Sequence, residues 1–161
     1  MEKKILSKKH EKFVAEKLDG KLQMASGAIW FAKADVYTDK YLIECKATEK
    51  DYYTLKTAIL DKIESEALKV GKIPLLCFRL KDKWGNFHDY VCVNRCYVDV
   101  CVLAHYDSSL CYSLNRSVKI DGEELRGLGS SGFADVTTNN NEYVVCEIDF
   151  FVDYVEDSVK W

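Results

Sequence analysis

Asp35-Val36-Tyr37-Thr38-Asp39-Lys40-Tyr41-Leu42-Ile43-Glu44-Cys45-Lys46 is the stretch on which the fold turns. Tyr37 and Tyr41 flank a Thr-Asp-Lys turn, and the apolar residues on either side predict two short antiparallel strands. In the second strand Leu42, Glu44 and Lys46 share one face, and Ile43 and Cys45 the other. Glu44 and Lys46 then stand roughly 6.6 Å apart, at about 3.3 Å per residue. Pairing the strands about the turn brings Asp35 beside Glu44. Two carboxylates that close repel each other unless a cation lies between them. Such oxygen donors suit Mg²⁺, with Mn²⁺ as a substitute. A bound metal lowers the pKa of its water and clamps a phosphate. Lys46 is placed to orient or deprotonate that water and to balance the phosphate charge. The residues therefore point to metal-dependent phosphodiester hydrolysis. A solvated hairpin with charged tips fits them too, and both readings stay open at this level.

Upstream, residues 2–19 predict an amphipathic helix. Ile5, Phe13, Val14 and Leu18 supply its apolar face, Ser7 can cap its main segment, and Gly20 ends it. Strands are expected over 21–25, 29–37 and 41–46. Downstream, Leu55, Ile59, Ile63, Ala67 and Val70 recur at helical spacing and predict a helix over 52–70. Gly71 stops that helix, and Pro74 starts an apolar strand over 74–80. The order helix, three strands, helix, strand describes an α/β fold with a mixed central sheet and helices packed on it.

Residues 84–161 read as a β-rich elaboration of the core at 1–83, within one domain spanning 1–161. Trp84-Gly85-Asn86 is a turn. Strands are expected over 88–93, 97–103 and 143–148, with a polar, turn-rich stretch over 106–132. Asp149 is placed to cap a last helix over 150–160. Phe133-Ala134-Asp135-Val136 followed by Tyr143 to Asp149 echoes the first hairpin. Its acids, Asp135 and Glu147, are spaced more widely, and Asp149 stands where the lysine would be. We read it as a similar hairpin without catalytic function.

Several motifs stand in order around the first hairpin: Lys8-Lys9-His10-Glu11-Lys12-Phe13-Val14-Ala15, Gln23-Met24-Ala25-Ser26-Gly27-Ala28, Ala47-Thr48, Leu60 to Ala67, and Gly71-Lys72-Ile73-Pro74 before Leu75-Leu76-Cys77-Phe78. In this order the chain resembles the PD-(D/E)XK nuclease superfamily, whose core is restriction-endonuclease-like, over about residues 8–80. It looks most like the phage and archaeal Holliday-junction resolvases. The resemblance implies roles residue by residue. Glu11 matches the N-terminal acid that helps hold metal or its water. Asp35 and Glu44 match the principal metal ligands. Cys45 matches the variable position whose backbone carbonyl joins the metal shell, and Lys46 the catalytic lysine. Ser26 matches a small polar residue that contacts phosphate, and Thr48 a hydroxyl residue that follows the lysine. Lys62 and Glu66 lie where some related enzymes carry a glutamine or lysine. Ala34 precedes Asp35 where the superfamily's name has proline.

The implied activity is structure-selective endodeoxyribonuclease cleavage, with paired symmetric cuts in a Holliday junction by a homodimer. A repair, restriction-type or flap-directed nuclease shares the chemistry, and a silent DNA-binding module shares the fold. Net charge is −3, which is unusual for a DNA-binding protein, but it is unevenly spread. Residues 1–83 carry 18 basic and 13 acidic side chains, a surplus of +5; residues 84–161 carry 5 and 13, a deficit of −8. The basic half is the one with the motif, and it suits phosphate contacts from Lys3, Lys4, Lys8, Lys9 and Lys12. No apolar run is long enough for a membrane span, and the basic N-terminus lacks the core of a signal peptide. The seven cysteines read mostly as reduced, buried thiols, so a cytoplasmic location is expected, the host cytoplasm if the chain is phage-encoded. His88, Cys92, Cys96, Cys101 and His105 are spaced too irregularly to read as a zinc site.

Overall fold

The structure, a computed structural model, describes residues 2–23, 34–106 and 108–161. Helix α1 (Glu2–Lys17) leads through β1 (Lys21–Leu22) to the hairpin of β2 (Val36–Tyr37) and β3 (Tyr41–Ala47). Strand β4 (Tyr52–Lys56), helix α2 (Thr57–Val70) and strands β5 (Ile73–Lys81) and β6 (Phe87–Asn94) follow. The remainder comprises α3 (Val100–Leu103), β7 (Leu110–Ser113), β8 (Ser117–Asp121), α4 (Gly122–Gly127), β9 (Phe133–Thr137), β10 (Glu142–Glu147) and α5 (Ile148–Phe150).

Eight strands form one sheet in the order β1-β2-β3-β5-β6-β10-β9-β7, so both halves of the chain contribute to it. The pairs are antiparallel except β3 with β5 and β7 with β9. This is a mixed α/β arrangement. β5 lies between β3 and β6 and is buried from Ile73 to Leu80, as expected of a strand covered on both faces. Its alternate residues serve two cores. Leu75 and Cys77 join Val14, Leu18, Phe151 and Val155, under α1 and the C-terminal helical segment. Leu76, Phe78 and Leu80 join Leu60, Ile63 and Ile120, under α2 and a small sheet of β4 with β8.

The hairpin follows the turn chemistry. Thr38 Oγ1 accepts from the backbone N–H of Lys40 and Tyr41, at 3.0 and 2.8 Å. Val36 lies opposite Ile43 and Tyr37 opposite Leu42. α2 ends at Gly71 in the left-handed conformation (φ 64°), with Lys72 N–H bonded back to the Ala67 carbonyl.

Several expectations need correction. The helix expected over 52–70 begins only at Thr57, because Tyr52–Lys56 is a strand paired antiparallel with β8. Its tyrosines and threonine favour that state. Leu55 is fully buried, but as a strand residue. The strand expected over 97–103 is absent: Arg95–Tyr97 is a 3-10 turn and Val100–Leu103 a short helix. Asn94 and Asp99 cap them by accepting the N–H of Cys96 and Cys101. The stretch over 106–132 holds β7, β8 and α4 rather than turns alone. The last helix starts at Ile148, continues as a π-helical segment (Phe151–Val155) and ends in a 3-10 turn (Glu156–Ser158). Asp149 does not cap it but meets Lys17 at 2.6 Å. On α1, Ile5 is exposed, and the buried face is His10, Val14 and Ala15. Residues 24–33, and with them most of the strand expected over 29–37, lie outside the described residues. Among the described residues no helix is long and apolar enough to cross a membrane.

Candidate active site

β3 is the structural base of the site. Its alternation sends Ile43 and Cys45 into the core under α1. Leu42 turns to the α2 side, where it packs with Ala67. Glu44 and Lys46 follow Leu42, so they face Lys62 on α2. Glu44 is 8 % exposed at its side chain. Its Oε1 lies 2.9 Å from Lys46 Nζ and 3.5 Å from Lys62 Nζ. Extending the hairpin register by one pair sets Asp35 opposite Glu44. Asp35 Oδ2 accepts the Cys45 backbone N–H at 2.8 Å, which ties the acid to the strand that carries the other two groups.

Glu11 reaches the same corner from α1 and is half-buried. Burial, then the charge of Asp35, hold its carboxyl above the ordinary range, with Glu44 adding to the effect and Lys8 and Lys46 opposing it. Asp35 is likewise raised, by burial first and by Glu44 among its neighbours, against the Cys45 N–H bond and the charges of Lys46 and Lys62. Burial favours the neutral form of Lys46, but its hydrogen bond to Glu44 and the charges of Glu44 and Asp35 outweigh that, so its pKa is raised. The direction of that shift favours the ammonium form of Lys46, a hydrogen-bond donor. Burial pushes the Cys45 thiol well above its usual value, so its sulfur is no thiolate ligand.

The carboxylates of Glu11, Asp35 and Glu44 are hard oxygen donors whose mutual repulsion a divalent cation would relieve. Among the described residues no group of three or more acidic, thiol or imidazole side chains is arranged so that it could hold a metal ion. The acids form an open corner, with Glu44 held by two lysines. Asp35→Asn removes one like charge yet leaves an acceptor for the Cys45 N–H. We expect its Tm without metal to rise by ~2 °C; a fall in a melting experiment would mean that the repulsion is not felt.

The other residues singled out from the sequence divide. Thr48 lines a groove of about 720 Å³ that opens beside Lys46, together with Lys3, Ser7, Lys50, Tyr52 and Lys56. Lys8 lies close enough to Glu11 to act on it electrostatically. Lys9 and Lys12 are exposed. At about 100° per residue Lys9 points some 200° round the helix from Glu11, away from the acids. Ser26 lies outside the described residues. Glu66 is bonded to Lys69 on its own helix at 3.0 Å. In the second hairpin, Asp135 is engaged by Arg95 at 2.8 Å and by Ser108 at 2.6 Å.

Sequence reasoning missed Lys50, just before β4, and Lys56, at the end of β4, both of which line the groove. It also missed a buried charge cluster behind Glu11. His10 is fully buried, with Nε2 3.2 Å from Asp89 Oδ1. Arg79 grips Asp89 through Nε at 2.8 Å and Nη2 at 3.0 Å, and its guanidinium also lies over the Phe13 ring. His10 Nε2 makes no hydrogen bond of good geometry, so α1 meets β5 and β6 here through this close approach to Asp89 and the Arg79–Phe13 contact.

No protein-family model matches the chain, and no curated protein matches it. Among solved structures it is similar to Hjc of Archaeoglobus fulgidus, a Holliday junction resolvase from an archaeal hyperthermophile. The identity is 13 % and the TM-score 0.40, over 73 % of this chain and 84 % of that one. So slight a likeness carries no weight for function, which has to be read from the site's own residues.

Proposed function

We propose that this chain is a metal-dependent, structure-selective endodeoxyribonuclease of the PD-(D/E)XK type, acting on branched DNA and resolving four-way junctions as a homodimer. The observation that carries the reading is the contact of Glu44 with Lys46, beside Asp35, at the mouth of a groove lined by Lys3, Lys50 and Lys56. A buried acid, a second acid tied to the same strand and an ammonium are what phosphodiester hydrolysis requires.

Asp35 and Glu44, with Glu11 and the Cys45 carbonyl, are the residues that would hold Mg²⁺ or Mn²⁺. When bound, the metal supplies an activated water and a clamp on the scissile phosphate. Lys46, kept protonated by Glu44, orients the attacking water and neutralises charge developing on the phosphate. Lys62 shares Glu44 with Lys46, so it limits how far that carboxylate can swing. The groove lysines track the phosphate backbone and do not read sequence. A four-way junction has two-fold symmetry, and a dimer with one site per subunit makes paired cuts.

Cleavage of four-way, flapped, nicked and linear DNA tests the reading. Selective, paired nicking of the junction is expected; equal cutting of all four would remove the junction specificity and keep the nuclease. The groove makes a separate prediction. In the Lys3→Ala/Lys50→Ala double variant, the slope of log K against log salt for duplex binding should shallow by about 1.8, at about 0.9 for each phosphate that is no longer neutralised. An unchanged slope in anisotropy titrations would place the DNA elsewhere.

A further inference from the structure

The turn between β5 and β6 displays an aromatic ring for which the fold has no use. Trp84 is 71 % exposed. Lys83 Nζ lies 4.5 Å from the centre of its ring. Phe87, on the same hairpin, is partly exposed too, but it carries Arg79 and Lys81 over its ring, at 5.1 and 5.8 Å. Trp84 has one cation over its ring and the larger exposed fraction, so more of its face is open.

The turn is held firmly. Asp82 N–H bonds the Asn86 carbonyl and Gly85 N–H bonds the Asp82 carbonyl, while Gly85 takes the left-handed conformation (φ 90°) that closes a three-residue hairpin loop. The Asp82 carboxylate accepts from the backbone N–H of Trp84 and of Asn86, both at 2.9 Å, and from the Asn86 amide at 3.2 Å. His88 Nε2 stands 2.9 Å from its Oδ2. Loop tips usually carry small polar residues. Here a carboxylate with four partners fixes the backbone beneath an exposed indole. Fixing the backbone that carries the ring lowers the entropy lost when something stacks on it.

Its surroundings select the ligand. Lys83, Lys81 and Lys50 lie about the hairpin; against them stand Asp82, whose carboxylate is taken up by the turn, and Glu49, which Lys81 meets at 3.6 Å. Lys81 N–H bonds the Lys50 carbonyl, so the hairpin is continuous with the groove beside Lys46. In the parallel register of β3 and β5, Lys46 lies opposite Phe78. From Phe78 to the strand's end at Lys81 is roughly 10 Å at about 3.3 Å per residue, and the turn carries Trp84 beyond that. The tip therefore stands more than about three nucleotide steps, at ~3.4 Å each, from the lysine.

We propose that Trp84 is a nucleobase-stacking site: the rigid β5–β6 tip stacks on a base face left exposed at a DNA branch point and so sets the distance from the branch to the phosphate at Lys46. The proposal rests on the nuclease reading for its ligand. Base-to-aromatic stacking tolerates any base, which suits recognition of structure in place of sequence. The flanking ammonium groups hold the adjoining phosphates.

The test is DNA binding in EDTA, where no cleavage intervenes, by wild type, Trp84→Ala and Trp84→Phe, on a four-way junction and on a matched continuous duplex. Trp84→Ala should weaken junction binding by about tenfold or more and duplex binding by less than about twofold. Trp84→Phe should recover most of the loss. A melting curve matching wild type shows that the exposed substitution leaves the fold intact. Equal loss on both DNAs, or none on either, would overturn the stacking site, as would failure of wild type to bind DNA at all. Junction binding that depends on Trp84 with no metal-stimulated cleavage would keep the stacking site and reject the nuclease.

Discussion

Glu44→Gln and Asp35→Asn are each expected to cut the rate of junction cleavage by at least ~10²–10³-fold, the scale on which removing one charge-stabilising group acts, while binding in EDTA persists. Each variant keeps the shape of the site and removes one negative charge. For Glu44 the loss is double, because its Oε1 also holds Lys46 at 2.9 Å. A neutral amide leaves that ammonium without the partner that orients it. Lys46→Met should therefore resemble Glu44→Gln in rate. Glu11→Gln should be milder, since Glu11 comes from a different element and joins the corner from its edge. Single-turnover cleavage of labelled DNA ranks the four variants. Full activity in either Asp35→Asn or Glu44→Gln would remove that acid from the chemistry and with it the two-acid metal-site assignment.

Asp89→Ala is expected to destabilise the protein by ~3–5 kcal/mol, the usual cost of stranding a buried charge. Domain stabilities run at about 5–15 kcal/mol, so this is a large share, visible as a Tm lowered by roughly 10 °C. The substitution leaves the buried Arg79 without its two-pronged acceptor and the buried His10 without its only nearby acid among the described residues. Burial alone would raise the Asp89 pKa, but His10 and Arg79 more than reverse this and hold it below the usual carboxylate value. The sign of the pH effect follows. Between the lowered folded pKa and the unfolded value of about 3.9, the unfolded state binds more protons. The stabilisation is full above the unfolded pKa and is lost as pH falls through the folded one. Wild type should thus lose more stability than Asp89→Ala below about pH 4. A Tm within a degree of wild type would mean that the cluster does not stabilise the fold.

The hairpin of Asp35 to Lys46 was legible because its signals are local. Thr38 makes the turn, and period-two alternation separates Glu44 and Lys46 from Ile43 and Cys45. The same local reading misassigned Tyr52–Lys56. Leu55, Ile59 and Ile63 fit a helical stripe, whereas the strand depends on pairing with Ser117–Asp121, some sixty residues later in a stretch with little strand character of its own. That error hid Lys56 from the candidate groove. Residues 97–103 look β-forming by composition, but two side-chain caps, from Asn94 and Asp99, turned them to short helices. The cluster of His10, Arg79 and Asp89 joins three elements, and nothing in the local sequence around each residue marks it as buried.

The most direct measurement is nicking of an end-labelled four-way junction beside a matched linear duplex, with Mg²⁺, with Mn²⁺ and with EDTA, using Asp35→Asn as the control. Paired symmetric nicks in the junction, dependent on metal and lost with Asp35→Asn, are the predicted result. No cutting of either DNA under any of these conditions would contradict the nuclease assignment and leave the basic groove as a binding surface alone.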